Sequence, residues 1–239
     1  MIALTVIGVI AAITIMSLQH NARNTVLISQ TKHTWSAINN VFKLVQLDYG
    51  TPGENTEIFS TTKSKQDLNK EFSKYFRNSI YCKSYSYASE CSFLKNYKIY
   101  YSSPVYDSDN TSASMVSMSS TPLIILSSGA VVSLTTIQNN CDDYAATGVS
   151  RNSDGTIKTD SNGNAVYWSS TRSNCGTLLF DVNGKKGPNR MGVDAFRVNI
   201  FRSYLGADYW SSATGNTTLF NILKGSEYPF SYKAYDDLE

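Results

Sequence analysis

The sequence predicts an α+β fold in which one long amino-terminal helix packs on an antiparallel β-sheet. Three observations predict it: an apolar run that continues unbroken into an amphipathic stripe, a series of short β-branched and aromatic segments separated by Gly-, Asn- and Asp-rich turns, and four cysteines spaced to close local loops. The 239 residues are enough to bury a core without staples, and an anchor followed by one domain is the simplest division.

Residues 1 to 18, MIALTVIGVIAAITIMSL, are almost wholly apolar, and no charged side chain precedes Arg23. As a helix the first 22 residues rise roughly 33 Å, enough for a hydrocarbon core of about 30 Å, so a membrane helix is expected. A cleaved signal peptide fits poorly, because the apolar run is too long, follows no positive charge and lacks a small-residue cleavage site. Ile28, Thr31, Trp35, Ile38, Phe42, Val45 and Tyr49 then recur at spacings of three and four, one stripe of an amphipathic helix. No Pro or Gly interrupts residues 9 to 49, and Gly50, Thr51, Pro52 and Gly53 stop the pattern. The organisation expected is 1–22 as a helix half for lipid or other apolar helices, 23–50 as its amphipathic continuation, and 51–239 as a globular domain.

Ser64 and Asp67 form a capping-box pattern for a helix running to about Asn78, with Leu68, Phe72, Tyr75 and Phe76 on its buried side. Tyr81 to Cys91 reads as a small loop that exposes tyrosines. Strands are expected at Tyr97–Tyr101, Leu123–Leu126, Ala130–Leu134, Gly176–Val182, Ala195–Phe201 and Thr217–Leu223, with a turn at 127–129 making an antiparallel meander. Asn152 to Tyr167, with Asp154-Gly155 and Asn162-Gly163, is a hairpin or an exposed insertion. Tyr167-Trp168-Ser169-Ser170 is echoed by Tyr209-Trp210-Ser211-Ser212. Aromatic sheet packing is the first reading of this echo, and a sugar- or partner-binding surface is the second.

Four cysteines allow three pairings; the nearest-neighbour scheme, Cys82 with Cys91 and Cys141 with Cys175, closes two local loops. None is spaced C-x-x-C, which speaks against zinc, and disulfides place the globular part outside the reducing cytosol. A net charge of +2 with scattered Lys and Glu lacks the basic excess that nucleic-acid binding requires. Only His20 and His33 are present, both on the long helix, so no Ser-His-Asp site can form in the domain. No phosphate-binding or dinucleotide fingerprint appears, and Asp142-Asp143 and Asp236-Asp237 read first as solvated pairs and second as a glycosidase pair of an anchored hydrolase, a third class of function. The expectation is a protein that is not an enzyme.

Between TLLFDV and DAFRVNIF, two expected strands, lies the loop DVNGKKGPNRMGVD, whose Asn183-Gly184 and Gly187-Pro188 supply the backbone angles of a compact reversal. Its carboxylates admit two readings. Asp181, Asn183 and Asp194 offer the oxygen ligands that calcium prefers; alternatively the aspartates bond backbone N–H groups of a tight loop. Against a cation stand Gly192 at the twelfth position, where an EF-hand loop has its acid, and the charges of Lys185, Lys186 and Arg190.

The front helix resembles that of the type IV pilin and type II secretion pseudopilin family. Ile2 to Ile15 is similar to the body of the family's helix, with Met16 where the family commonly has proline. The resemblance implies that the positions marked by Ile2, Val6, Gly8, Ile10, Ala12 and Ile13 sit first in membrane and then in a filament core. On the apolar run this chain starts about six residues into that helix, without the family's leader, cleavage-site glycine or early glutamate. The family's late loop also matches at Asp181, Asn183, Gly184, Pro188, Asn189, Gly192 and Asp194, and in the major pseudopilins a neighbouring loop holds calcium. What the resemblance implies is a bacterial inner-membrane subunit with an extracytoplasmic or cell-surface domain. Its partners would be like subunits in a helical filament and, indirectly, a platform protein and a cytoplasmic ATPase; a secreted substrate is a further implied partner. The competing class is a monomeric anchored adhesin that binds glycan through Trp168, Trp210 and the calcium loop.

Overall fold

The computed structural model describes residues 2–59, 63–83, 91–101, 115–118, 121–137, 141, 143–150, 152, 156–206, 215–227 and 229–230. Within its helices and strands, the side chains of residues 2–21, 115–116, 143–147, 170–173 and 216 fall outside the description. A single helix, α1, runs Ile2–Asp48, as the uninterrupted pattern predicts. Its buried positions, Leu27, Thr31, Thr34, Ile38, Val41, Phe42, Val45 and Gln46, follow the three-and-four spacing, while Ile28, Trp35 and Tyr49 are half-buried against the same core. Burying each large apolar side chain is worth about 1.5–3 kcal/mol. Thr31 can sit among them because its hydroxyl donates to the Leu27 carbonyl at 2.7 Å. Among the described residues no helix is long and apolar enough to cross a membrane; the side chains of the apolar run 1–18 lie outside that description.

The second helix, α2, spans Lys65–Ser73 and carries the expected capping box: the Ser64 hydroxyl accepts from the Asp67 N–H while the Asp67 carboxylate accepts from the Ser64 N–H. It stops short of Asn78. The Lys74 and Tyr75 N–H groups turn back to Glu71 and Phe72, and Asn78 takes φ 55, so Phe76 enters the core from a turn rather than from a helix. Phe72 meets Phe42 of α1 edge-on at 4.8 Å.

Among the described residues ten strands follow: β1 Ile80–Cys82, β2 Lys98–Tyr100, β3 Met115–Ser117, β4 Leu123–Ile125, β5 Val131–Ile137, β6 Asp143–Val149, β7 Tyr167–Ser173, β8 Gly176–Asp181, β9 Ala195–Ile200 and β10 Leu205–Gly206. Six form one antiparallel sheet in the order β1-β4-β5-β8-β9-β10; β2-β3 and β6-β7 are separate ribbons. Both faces of the sheet are covered. Ile124, Val132, Leu178, Phe180 and Val198 point to the core shared with α1 and α2, and Leu123, Val131 and Leu179 point to a second core built by Leu94, Tyr97 and Ile99. This is why the segment Leu178-Leu179-Phe180 is continuously apolar instead of alternating.

One expected strand is a helix. Thr217–Leu223 lies within α3, Asn216–Lys224, whose ends are set by Gly215 and Gly225 in the left-handed region. The pattern Thr-Thr-Leu-Phe-Asn-Ile-Leu suits a strand by propensity, but Leu219 and Ile222 are the fully buried pair and Phe220 and Leu223 are exposed, a helical period. Packing of α3 on α1 and β9 decided between them. Residues 156–167 belong to the outer part of a longer ribbon, β6-β7, inserted between two strands that pair with each other, β5 and β8, while the expected Asp154-Gly155 turn lies outside the described residues.

Candidate functional site

The loop between β8 and β9 joins every layer of the domain. Asp181 ends β8 and pairs across to Ala195 at the start of β9, and the Val182 N–H donates to the Asp194 carbonyl at 2.8 Å. The chain between them makes a short 3-10 turn over Gly184–Lys186, then a cis Gly187-Pro188 bond, and returns along β2: the Tyr100 N–H donates to Asn189 O and the Met191 N–H to Tyr100 O, both at 2.8 Å. Lys185 Nζ donates to the Lys95 carbonyl at 3.0 Å.

Two fully buried carboxylates hold this path. Asp181 Oδ1 accepts the N–H groups of Asn183 and Gly184 at 3.1 and 2.8 Å, and its Oδ2 accepts the Tyr97 hydroxyl at 2.8 Å. Asp194 Oδ1 accepts from the Arg190 N–H and its Oδ2 from the Asn189 N–H, at 2.8 and 2.9 Å. Burial raises the Asp181 carboxyl well above the usual range, with the Asp194 charge adding to it and the Tyr97, Asn183 and Gly184 donors opposing it. Burial likewise lifts Asp194 to about 6, against its own backbone donors. The Tyr97 hydroxyl is pushed up by burial and by Asp181, so it stays a neutral donor.

The structure therefore brings Asp181, Asn183 and Asp194 into one loop. Each carboxylate oxygen already receives a hydrogen bond from the protein. The oxygens left over are Asn183 Oδ1 and Asn189 Oδ1, buried without a partner; a hard cation in this loop would have those amides for neutral ligands but would find the carboxylates engaged. Among the described residues no three His, Cys, Asp or Glu side chains gather as metal ligands. Tyr97, which the sequence marks only as the start of a strand, is the partner that turns Asp181 into a fastening; nothing local in the sequence points to it across 84 positions.

The cysteines pair as Cys82–Cys91 and Cys141–Cys175. The first lies in the second core, and the second pinches the base of the β6-β7 ribbon, where Arg202 donates to the Cys141 carbonyl. On that ribbon Tyr167 and Trp168 are 68% and 40% exposed, and the Trp168 ring packs on the neighbouring strand, in line with the sheet-packing reading. The indole lies across its cross-strand partner Gly148, where an added Cβ would come 2.6 Å from ring atom Cζ2. Trp210 and the tyrosines of 84–90 lie outside the described residues. Ile2, Val6, Gly8, Ile10, Ala12 and Ile13 all fall in the first half of α1. His33, on the same helix, is exposed.

Compared with known proteins, the chain matches no family model, no curated protein and no solved structure.

Proposed function

We propose that the chain is a pilin-like (pseudopilin) subunit of a type II secretion or type IV pilus filament, held in a bacterial inner membrane by residues 1–22 before assembly, with its domain on the extracytoplasmic side. The observation that carries the reading is α1. Its first described buried side chain is Leu27, and the roughly 25 helical residues ahead of it rise about 38 Å and open with the almost wholly apolar run 2–18. A helix of that kind needs lipid or like helices around it. Both disulfides support an oxidising compartment for the domain.

In this reading the helix exchanges lipid neighbours for helices of its own kind. Lipid tails are as apolar as Leu, so hydrophobicity does not drive that step; close packing does, and Gly8 and Ala12, one turn apart, are the residues that let backbones approach. The energy of assembly comes from a separate cytoplasmic ATPase acting through a platform protein. The reading assigns the chain no catalysis.

The test replaces Gly8 or Ala12. Gly8→Arg is expected to abolish recovery of the subunit in sheared filaments, and Ala12→Leu, which stays apolar, is expected to remain in the membrane fraction yet assemble poorly. Unchanged incorporation of both variants would overturn the proposal. A monomeric anchored adhesin is the second reading, favoured by the exposed Tyr167 and Trp168; a glycan array probed with the full chain and with Trp168→Ala separates the two, since only the adhesin reading expects glycan binding that is lost with Trp168.

A further inference from the structure

A cavity of about 340 Å³ lies where the second half of α1 meets the turn between β9 and β10, lined among others by Asn39, Phe42, Lys43, Gln46, Ser203 and Tyr204. Its walls are built to stay in place. Gln46, 7% exposed, donates to Asn55 Oδ1 at 2.8 Å and accepts the Gly53 N–H at 3.1 Å; Asn55, 1% exposed, gives its own amide to the Phe201 carbonyl and its N–H to that of Arg202, both at 2.7 Å. These bonds tie the end of α1 to the β9–β10 turn. On that turn the Phe201 and Tyr204 rings stack at 4.6 Å, and Gly206 makes room for them, since a Cβ there would come 2.9 Å from both rings. Tyr204 is thereby a fixed flat surface, and it is 58% exposed.

The groups that line this space are short of partners. Lys43 has no ion pair or hydrogen bond among the described residues, and neither has the Ser203 hydroxyl. Asn39 gives Nδ2 to the Trp35 carbonyl at 2.9 Å, which leaves its Oδ1 to accept. One cation, an amide oxygen, a hydroxyl and a fixed aromatic face over an apolar floor describe a particular ligand chemistry. We infer that this cavity binds a carboxylated sugar ring, with the carboxylate on Lys43, a C–H face of the ring on Tyr204, and ring hydroxyls on Asn39 and Ser203. An aromatic acid would meet Lys43 and Tyr204 yet leave the other two unmet, and a neutral sugar would leave Lys43 unpaired. The site is separate from the apolar half of α1 and stands or falls independently of filament assembly.

The test titrates D-glucuronate into the full chain in detergent micelles, with D-glucose and benzoate as comparison probes, by calorimetry and by NMR shifts. Saturable glucuronate binding is expected, weakened roughly tenfold by Lys43→Gln and by Tyr204→Ala, with both comparison probes weaker by a similar factor. Both substituted side chains are exposed, and circular dichroism checks that the variants fold; should Tyr204→Ala unfold, Lys43→Gln alone decides. Absence of saturable glucuronate binding, affinity unchanged by Lys43→Gln, or benzoate binding as tightly as glucuronate would overturn the inference.

Discussion

Two turns of this protein use the same four-residue chemistry in opposite surroundings. Asp160-Ser161-Asn162-Gly163 closes the tip of the β6-β7 ribbon, where Asp160 Oδ1 accepts the N–H groups of Asn162 and Asn164 at 2.8 and 2.9 Å. Asp181-Val182-Asn183-Gly184 opens the β8–β9 loop, where Asp181 Oδ1 accepts the N–H groups of Asn183 and Gly184. The local bonds are alike, yet the backbone donors hold the exposed Asp160 carboxyl below its ordinary value while burial drives Asp181 far above it. The first turn only reverses a chain. The second, with Tyr97 on its other oxygen, fastens β2, β8 and β9 together. A turn motif thus acquires structural weight from the third dimension, because desolvation makes each unmet partner costly.

The sharpest test of that contrast is Asp181→Ala, which leaves two loop N–H groups and the Tyr97 hydroxyl without their acceptor in a buried space. It is expected to lower stability by about 3 kcal/mol or more in urea unfolding. A loss under about 1 kcal/mol would mean that the loop is not a fastening.

A middle-sized effect is expected from pH. The folded-state value of Asp194, raised from 3.8 to about 6, makes its contribution to stability fully present below the unfolded value and lost as pH rises through about 6; Asp181 acts in the same direction. Thermal and urea unfolding should therefore show the loop most stable near pH 4 and weaker by about 2 kcal/mol at pH 7 from Asp194, a slope that Asp194→Asn flattens. Asp160 works the other way, its contribution being present above 3.8 and lost as pH falls. Repeating the series with calcium should change nothing if N–H groups alone satisfy the loop; a calcium-dependent rise in midpoint at neutral pH would assign the loop to the cation.

The smallest effect is expected from Asp160→Ala, which should leave the thermal midpoint indistinguishable from that of the parent chain. A shift matching that of Asp181→Ala would erase the distinction between the turns.

Much of the fold is legible where a pattern is local. The α1 stripe, the Ser64–Asp67 cap, the strands near Leu123, Ala130, Gly176 and Ala195, and the loop that begins at Asp181 all follow from spacing within a few residues. The failures have physical causes. Thr217–Leu223 reads as a strand because its residues favour one, and only the burial of Leu219 and Ile222 against neighbouring elements makes it helical. Residues 74–78 leave the helix of the Ser64 cap because the Lys74 and Tyr75 N–H groups tighten to i→i−3 bonds, a turn that Asn78 completes in the left-handed region. The ribbon's own strands, β6 and β7, escape a strand reading because their Ser-, Thr- and Ala-rich segments carry no apolar alternation.

By itself the sequence determined one long helix with an apolar front and a striped second half, a sheet of short strands behind it, and the position of its compact reversals. These depend on side-chain periodicity and backbone preference, which act between near neighbours in the chain. Tertiary structure decided which pattern-poor segments became β6 and α3, that Tyr97 meets Asp181, and that Asn39, Lys43 and Tyr204 share one cavity. Those outcomes depend on which surfaces lose water together, and residues far apart in the chain do so only once the whole domain has closed.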